Sequence, residues 1–104
     1  MNKINEFFIN TFNQDLSSTK VFFISLINRA GYYDSECDEV YINSDYNSIT
    51  REFTLIHELT HRMIALNDIQ VSLTEEEDFC KYVTLEYIRQ FFGEEAIALV
   101  QELI

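Results

Sequence analysis

The stretch ITREFTLIHELTHRMIAL, residues 49–66, decides the fold of this chain. An amphipathic helix is predicted there, because apolar side chains recur every three or four residues at Ile49, Phe53, Ile56, Met63 and Ile64. The loop before it, residues 44–48, is rich in side chains that cap helices, and Asn67 and Asp68 end it. We expect this helix to be the central one of the domain.

The same helix carries both histidines of the chain, in the motif His57-Glu58-Leu59-Thr60-His61. Two histidines four residues apart lie on one face of a helix, so both rings can reach one metal ion. Zinc accepts imidazole nitrogen and carboxylate oxygen, and a catalytic zinc site combines three protein ligands with a water molecule. We therefore expect His57 and His61 to bind Zn²⁺.

Glu58 follows the first histidine and is rotated by about 100° around the helix axis. It would flank the metal instead of binding it, and could take a proton from the zinc-bound water as the general base. Two histidines in 104 residues fall four apart by chance roughly one time in fifty. The alternative is a pair of buried core histidines without a metal, which we consider the weaker interpretation.

The third ligand must be a carboxylate or a thiol, because the chain has no third histidine. A helix is predicted over residues 75–92, closed by Gly93, with an inward stripe of Phe79, Cys80, Val83, Tyr87 and Phe91. Glu76 falls in the middle of this stripe and Glu75 at its edge, while Glu77 and Asp78 point away. Glu76 is therefore the predicted third ligand, with Glu75 left open.

Two alternatives concern this acidic segment. Thr74 and Glu77 form a predicted capping box, and the acidic side chains could simply compensate the helix dipole. We expect that role for Glu77 and Asp78, whereas a buried Glu76 needs a partner such as zinc. Cys80 could neighbour the site or supply a fourth ligand, although core packing is the favoured interpretation.

The remaining sequence predicts one α+β domain over residues 1–104. Its elements are a first helix at residues 2–14, a buried strand at 20–27, a turn or irregular edge at 28–38, a half-buried strand at 39–43 and a last helix at 94–103. We expect the strands to form a small antiparallel sheet.

The chain is strongly acidic, with 18 Asp and Glu against 7 Lys and Arg and a net charge of −11. Such a chain repels phosphate backbones, so we expect no direct nucleic-acid binding and favour a basic protein partner, or solubility alone. Cys37 and Cys80 fit neither a Cys-x-x-Cys pair nor a disulfide framework. Because no signal peptide or membrane-spanning segment is evident, we expect a cytoplasmic location with reduced thiols.

The flanks of the motif resemble a known family. Residues 40–44, VYINS, and residues 51–61, REFTLIHELTH, resemble the ImmA/IrrE metallopeptidases of the zincin-like, gluzincin type, in which a strand ending in Asn precedes an Arg-Phe-Thr-Leu-Ala-His-Glu-Leu-Gly-His helix. The resemblance covers about residues 38–88. It implies zinc ligands His57, His61 and Glu76, with Glu58 as the base.

The resemblance also implies a function: zinc-dependent cleavage of a basic helix-turn-helix repressor of a mobile element or stress response. Two features depart from the family pattern, namely Thr60 in place of the usual Gly and a nearly minimal length. An oxyanion donor is also needed, and Tyr46, Tyr82 and Tyr87 stay open as candidates. The alternatives are a catalytically silent acidic inhibitor of phage type on the same fold, and a structural zinc or metal-free domain.

Overall fold

The computed structural model describes residues 2–100, which fold into an α+β domain. The elements are α1 (Asn2–Phe12), β1 (Lys20–Ile24), β2 (Gly31–Asp34), β3 (Glu39–Asn43), α2 (Ser48–Leu66), α3 (Leu73–Phe92) and α4 (Glu94–Val100). The predicted α+β class is confirmed, as are the central helix and the end of α3 before Gly93. The predicted end of the last helix, at residues 101–103, lies outside the described residues.

The sheet is mixed, so the predicted antiparallel sheet is wrong. Its strand order is β1-β3-β2, with β3 parallel to β1 and antiparallel to β2. The strand β2 lies within residues 28–38, for which a turn or irregular edge was predicted; its residues Gly31–Asp34 are all half-buried, so their burial does not alternate along the strand. This extra strand reverses the chain once more between β1 and β3, and the two strands that were predicted therefore run in the same direction.

The prediction that β1 is buried is also wrong, because β1 is an edge strand. Phe23 is 53% exposed, and Phe22 stacks on Tyr41 of β3 at a centroid distance of 5.4 Å on the outer face of the sheet. The β-branched and aromatic run identifies a strand but not its depth, because both edge and central strands favour these residues.

The core lies between one face of the sheet and the first three helices. These three helices and β3 each contribute at least two fully or nearly fully buried side chains, among them Phe7 and Phe8 from α1, Val40 and Ile42 from β3, Ile56 and Leu59 from α2, and Val83 and Tyr87 from α3. This arrangement holds α2 against β2 and β3 on one side and against α3 on the other.

The start of α3 differs from the sequence prediction. The capping box is formed by Ser72 and Glu75, with reciprocal hydrogen bonds between each side chain and the other residue's backbone N–H. The predicted box of Thr74 and Glu77 is therefore wrong. The helix begins two residues earlier than expected, since Ser72 offers the same pattern of a hydroxyl followed three residues later by Glu. This earlier start frees Glu77 for a different contact.

Arg62 ties α2 to the strands from the side opposite α3. Its side chain is buried and donates two hydrogen bonds to the Asp38 carboxylate, at 2.8 and 3.0 Å, and one to Thr19 at 2.7 Å. The Tyr33 hydroxyl donates to the same carboxylate at 2.8 Å. This cluster joins the turn between β2 and β3, the loop before β1 and the central helix.

We expect Arg62→Met to lower the free energy of unfolding by about 2 kcal/mol, because it removes the charged hydrogen bonds to Asp38 and leaves that carboxylate with the Tyr33 hydroxyl as a donor. The Arg62 guanidinium lowers the pKa of the Asp38 carboxyl in the folded state. The stabilisation is therefore complete above the ordinary Asp pKa of about 4 and is lost as pH falls through the lowered folded-state value. Urea unfolding of both proteins at pH 7 and at successively lower pH measures the difference.

Arg89→Met is the matched control for this experiment. Arg89 pairs with Glu86 and Glu94 on the surface of the domain, and its removal should change the free energy of unfolding by no more than about 0.5 kcal/mol. An Arg62→Met protein as stable as the parent at pH 7 would contradict the proposed role of the cluster.

Candidate metal centre

The two histidines of α2 lie side by side at the boundary between the core and the surface. Their ring centroids are 5.0 Å apart, and the side chains of His57 and His61 are 24% and 16% exposed. Both rings face α3, since α2 and α3 pack against each other along this face. The helical spacing therefore brings the rings together as the motif predicts.

Glu77 contacts both rings with one carboxylate. Its two oxygens lie 3.1 Å from Nε2 of His57 and 3.0 Å from Nε2 of His61. Donor atoms bound to one tetrahedral zinc at about 2.0–2.1 Å are about 3.3 Å apart. Each histidine Nε2 lies close to that distance from one oxygen of Glu77, which makes Glu77 a candidate ligand beside the two histidines. The prediction that Glu77 points away from the site is therefore wrong.

Glu76 has a different contact. Its carboxylate oxygen lies 2.5 Å from Nδ1 of His61, on the ring nitrogen that does not face Glu77. Metal-binding histidines generally donate their second ring N–H to a carboxylate, which fixes the tautomer and the orientation of the ring. Glu76 is half-buried, in agreement with its place on the inward stripe, but its contact is that of an orienting group. Its predicted role as third ligand stays a prediction.

The other two acidic residues of the segment lie away from the histidines. Glu75 is exposed and is engaged in the capping box with Ser72, whose backbone N–H it accepts at 3.0 Å. This hydrogen bond lowers the pKa of the Glu75 carboxyl. Asp78 is exposed. The capping contact of Glu75 therefore does not support this residue as the alternative third ligand.

Cys80 approaches the histidines from the core side. It is fully buried, and its sulfur lies within 4.8 Å of a ring nitrogen of each histidine. Burial raises the pKa of the Cys80 thiol, and the nearby carboxylates of Glu77 and Glu76 raise it further. The histidines therefore have two candidate partners, a carboxylate on the solvent side and a thiol on the core side.

Glu58 is the buried carboxyl group of the site. It is 8% exposed, and burial raises its pKa to about 7, although His61 and Arg29 act in the opposite direction. Burial also lowers the pKa of His57, so its imidazole is held in the neutral form that a metal requires. A carboxyl group that titrates near neutral pH can both accept and release a proton.

Two clefts meet at Glu58 and His57. The larger has a volume of about 760 Å³ and is also lined by His61, by Arg29 and by three acidic residues, Asp68, Glu76 and Glu77. The smaller, about 360 Å³, is mostly apolar and includes Ile49 and Phe53 in its lining. His57 and Glu58 therefore border both a larger polar cleft and a smaller, mostly apolar one.

The three tyrosines considered as oxyanion donors have different surroundings. Tyr46 lines the smaller cleft, together with Glu58. Tyr87 is buried and donates its hydroxyl hydrogen bond to Glu52, away from the site. Tyr82 is 57% exposed and stacks on Phe79. Of the three, Tyr46 is the one whose surroundings suit the role.

Comparison with models of known protein families found no match, and a search of curated protein sequences found no significant match. The resemblance to the ImmA/IrrE family therefore stays a prediction based on the residues quoted above. Within residues 2–100, no helix combines the length and apolar character needed to cross a membrane.

We expect the purified protein to bind one zinc ion per chain and His61→Ala to lose it. Among three matched variants, Glu77→Gln should lower the zinc affinity the most, because a neutral amide is a poor ligand for zinc. Glu76→Gln should keep one zinc with an affinity about 10–100-fold lower, as is usual when an orienting partner is lost. Isothermal titration calorimetry and metal analysis give both quantities.

Glu75→Gln is the control, since glutamine keeps the capping box and the site is untouched. If Glu76→Gln abolished binding while Glu77→Gln bound zinc like the parent, Glu76 would be the ligand and the assignment of Glu77 would be wrong.

Proposed function

We propose that this protein is a zinc-dependent metallopeptidase. The observation that carries the proposal is a buried carboxyl group, Glu58, beside two histidines and a carboxylate whose spacing suits one zinc ion, at the junction of two clefts. A bound zinc ion would polarise the scissile carbonyl and activate a water molecule for attack.

Each side chain has a distinct part in this proposal. His57, His61 and Glu77 hold the metal, while Glu76 fixes the ring of His61 through Nδ1. Glu58 takes a proton from the attacking water and later delivers it to the leaving amine nitrogen. Glu58 is buried directly beside His57, so its carboxyl group is in position for both proton transfers.

A basic polypeptide is the substrate class that the charges favour. Asp68, Glu76 and Glu77 line the larger cleft, and the chain as a whole carries a net charge of −11. Complementary charge steers a basic partner to such a cleft and opposes binding of a phosphate backbone. Together with the resemblance to the ImmA/IrrE family, this supports a helix-turn-helix repressor of a mobile element or stress response as the substrate.

The alternative, a catalytically silent acidic inhibitor, is supported by net charge alone. It predicts that a partner binds equally well with and without zinc. If the partner is cleaved only when zinc is bound, the protein is a peptidase and not an inhibitor.

We expect Glu58→Gln to retain one zinc per chain while the rate of peptide cleavage falls about 10²–10⁴-fold, because the general base is lost and the ligands are not. The measurement uses a panel of basic helix-turn-helix repressors and a mixed peptide library, with cleavage followed by mass spectrometry. Glu75→Gln serves as the control and should cleave like the parent. Equal cleavage by the Glu58→Gln protein would show that the proposed mechanism is wrong.

A further inference from the structure

We propose that Cys80 is a fourth protein ligand of the metal, which closes the site from the core side and holds the enzyme in a latent form. This inference rests on the metal site of the proposed function. It goes beyond that function because a catalytic zinc site keeps one position open, whereas four protein ligands would fill it.

The position of Cys80 in α3 supports the proposal. Cys80 follows Glu77 by three residues and Glu76 by four, so all three side chains project from neighbouring positions on one side of the helix. The Cys80 sulfur is fully buried and lies no more than 4.8 Å from a ring nitrogen of each histidine.

The distances require only a small closure of the site. A zinc ion with bonds of about 2.3 Å to sulfur and 2.0–2.1 Å to nitrogen separates these donors by about 3.5 Å. The Cys80 sulfur and the ring nitrogens would therefore have to approach each other by no more than about 1.3 Å. Glu77 is half-exposed and Cys80 is buried, so one donor belongs to the surface and the other to the core. His57, His61, Glu77 and Cys80 together would make a four-donor set.

Coordination by Cys80 would have a direct effect on catalysis. The thiol releases its proton to solvent as the sulfur–metal bond forms, since the thiolate is the form that binds metals. The sulfur then fills the position that the attacking water needs. In the latent form Cys80 would exclude the attacking water, and Glu58 would stay in place to accept a proton once that position is open to water.

Cobalt(II) provides a readout that does not depend on activity. The full-length parent, Cys80→Ser, Cys80→Ala and Cys37→Ser proteins are each loaded with one Co²⁺, and their near-ultraviolet absorption is recorded. A thiolate ligand produces a sulfur-to-cobalt charge-transfer band. We expect this band in the parent and in Cys37→Ser, whose exposed thiol lies outside the cluster, and its loss in both Cys80 variants with one Co²⁺ still bound.

The second readout is hydrolysis by the zinc-loaded proteins. The Cys80→Ala protein should cleave at least several-fold faster than the parent, because the fourth position is open to water, and circular dichroism checks that each variant is folded. The alanine variant also covers the case in which a buried serine hydroxyl prevents folding.

The outcomes separate this inference from the proposed function. If the parent holds one Co²⁺ without a charge-transfer band, or if the Cys80 variants keep the band, the role of Cys80 is overturned and the zinc site stands. If neither metal binds the parent at all, the proposed function fails together with this inference.

Discussion

The packing of α2 against α3 is the constraint on which the candidate site depends. Ile56 and Leu59 of α2 are fully buried, as are Val83 and Tyr87 of α3. Because His57 lies next to Ile56 in sequence, burial of these apolar residues fixes the rotation of α2 and turns both histidines toward the start of α3. The hydrophobic core therefore determines which acidic residues the histidines meet.

The site concentrates negative charge where the domain has little positive charge to offset it. Glu58 is buried, Glu76 is half-buried, and Arg29 is the cation that lines the same cleft. Without a metal ion, burial is the main reason that the pKa of Glu58 rises to about 7, because the charged carboxylate loses solvation. A divalent cation would become the largest local charge and would stabilise every carboxylate around it. The electrostatics therefore give a physical reason for a cation at this position.

Local patterns predicted α2, the face of its histidines and the inward position of Glu76, because these features depend on the 3.6-residue period alone. The strand β2 was predicted as a turn or irregular edge, because its four residues are all half-buried and their burial does not alternate. The contact of Glu77 was missed for a related reason. The inward stripe of α3 indicates which side chains are buried in the core. This site lies at the surface, where the Glu77 side chain is 52% exposed and still reaches both histidine rings. Sequence periodicity does not indicate which side chains form contacts at the boundary between the core and the surface.

Thr60 stands where the family that the motif resembles has a glycine, and the contacts of α2 show how its side chain is accommodated. Thr60 is fully buried, and its hydroxyl donates a 2.8 Å hydrogen bond to the carbonyl of Ile56 within the same helix. Its side chain therefore needs no space near the proposed metal site.

The same helix also carries Arg62, which binds Asp38 and Thr19 on another face. The helix is thus fixed by the core, by this charged cluster and by α3, and a site on a helix held from several sides keeps its donors in place with little loss of conformational freedom on binding a metal. On these grounds Thr60 is compatible with the proposed metal site, because its side chain is accommodated within the helix and the core.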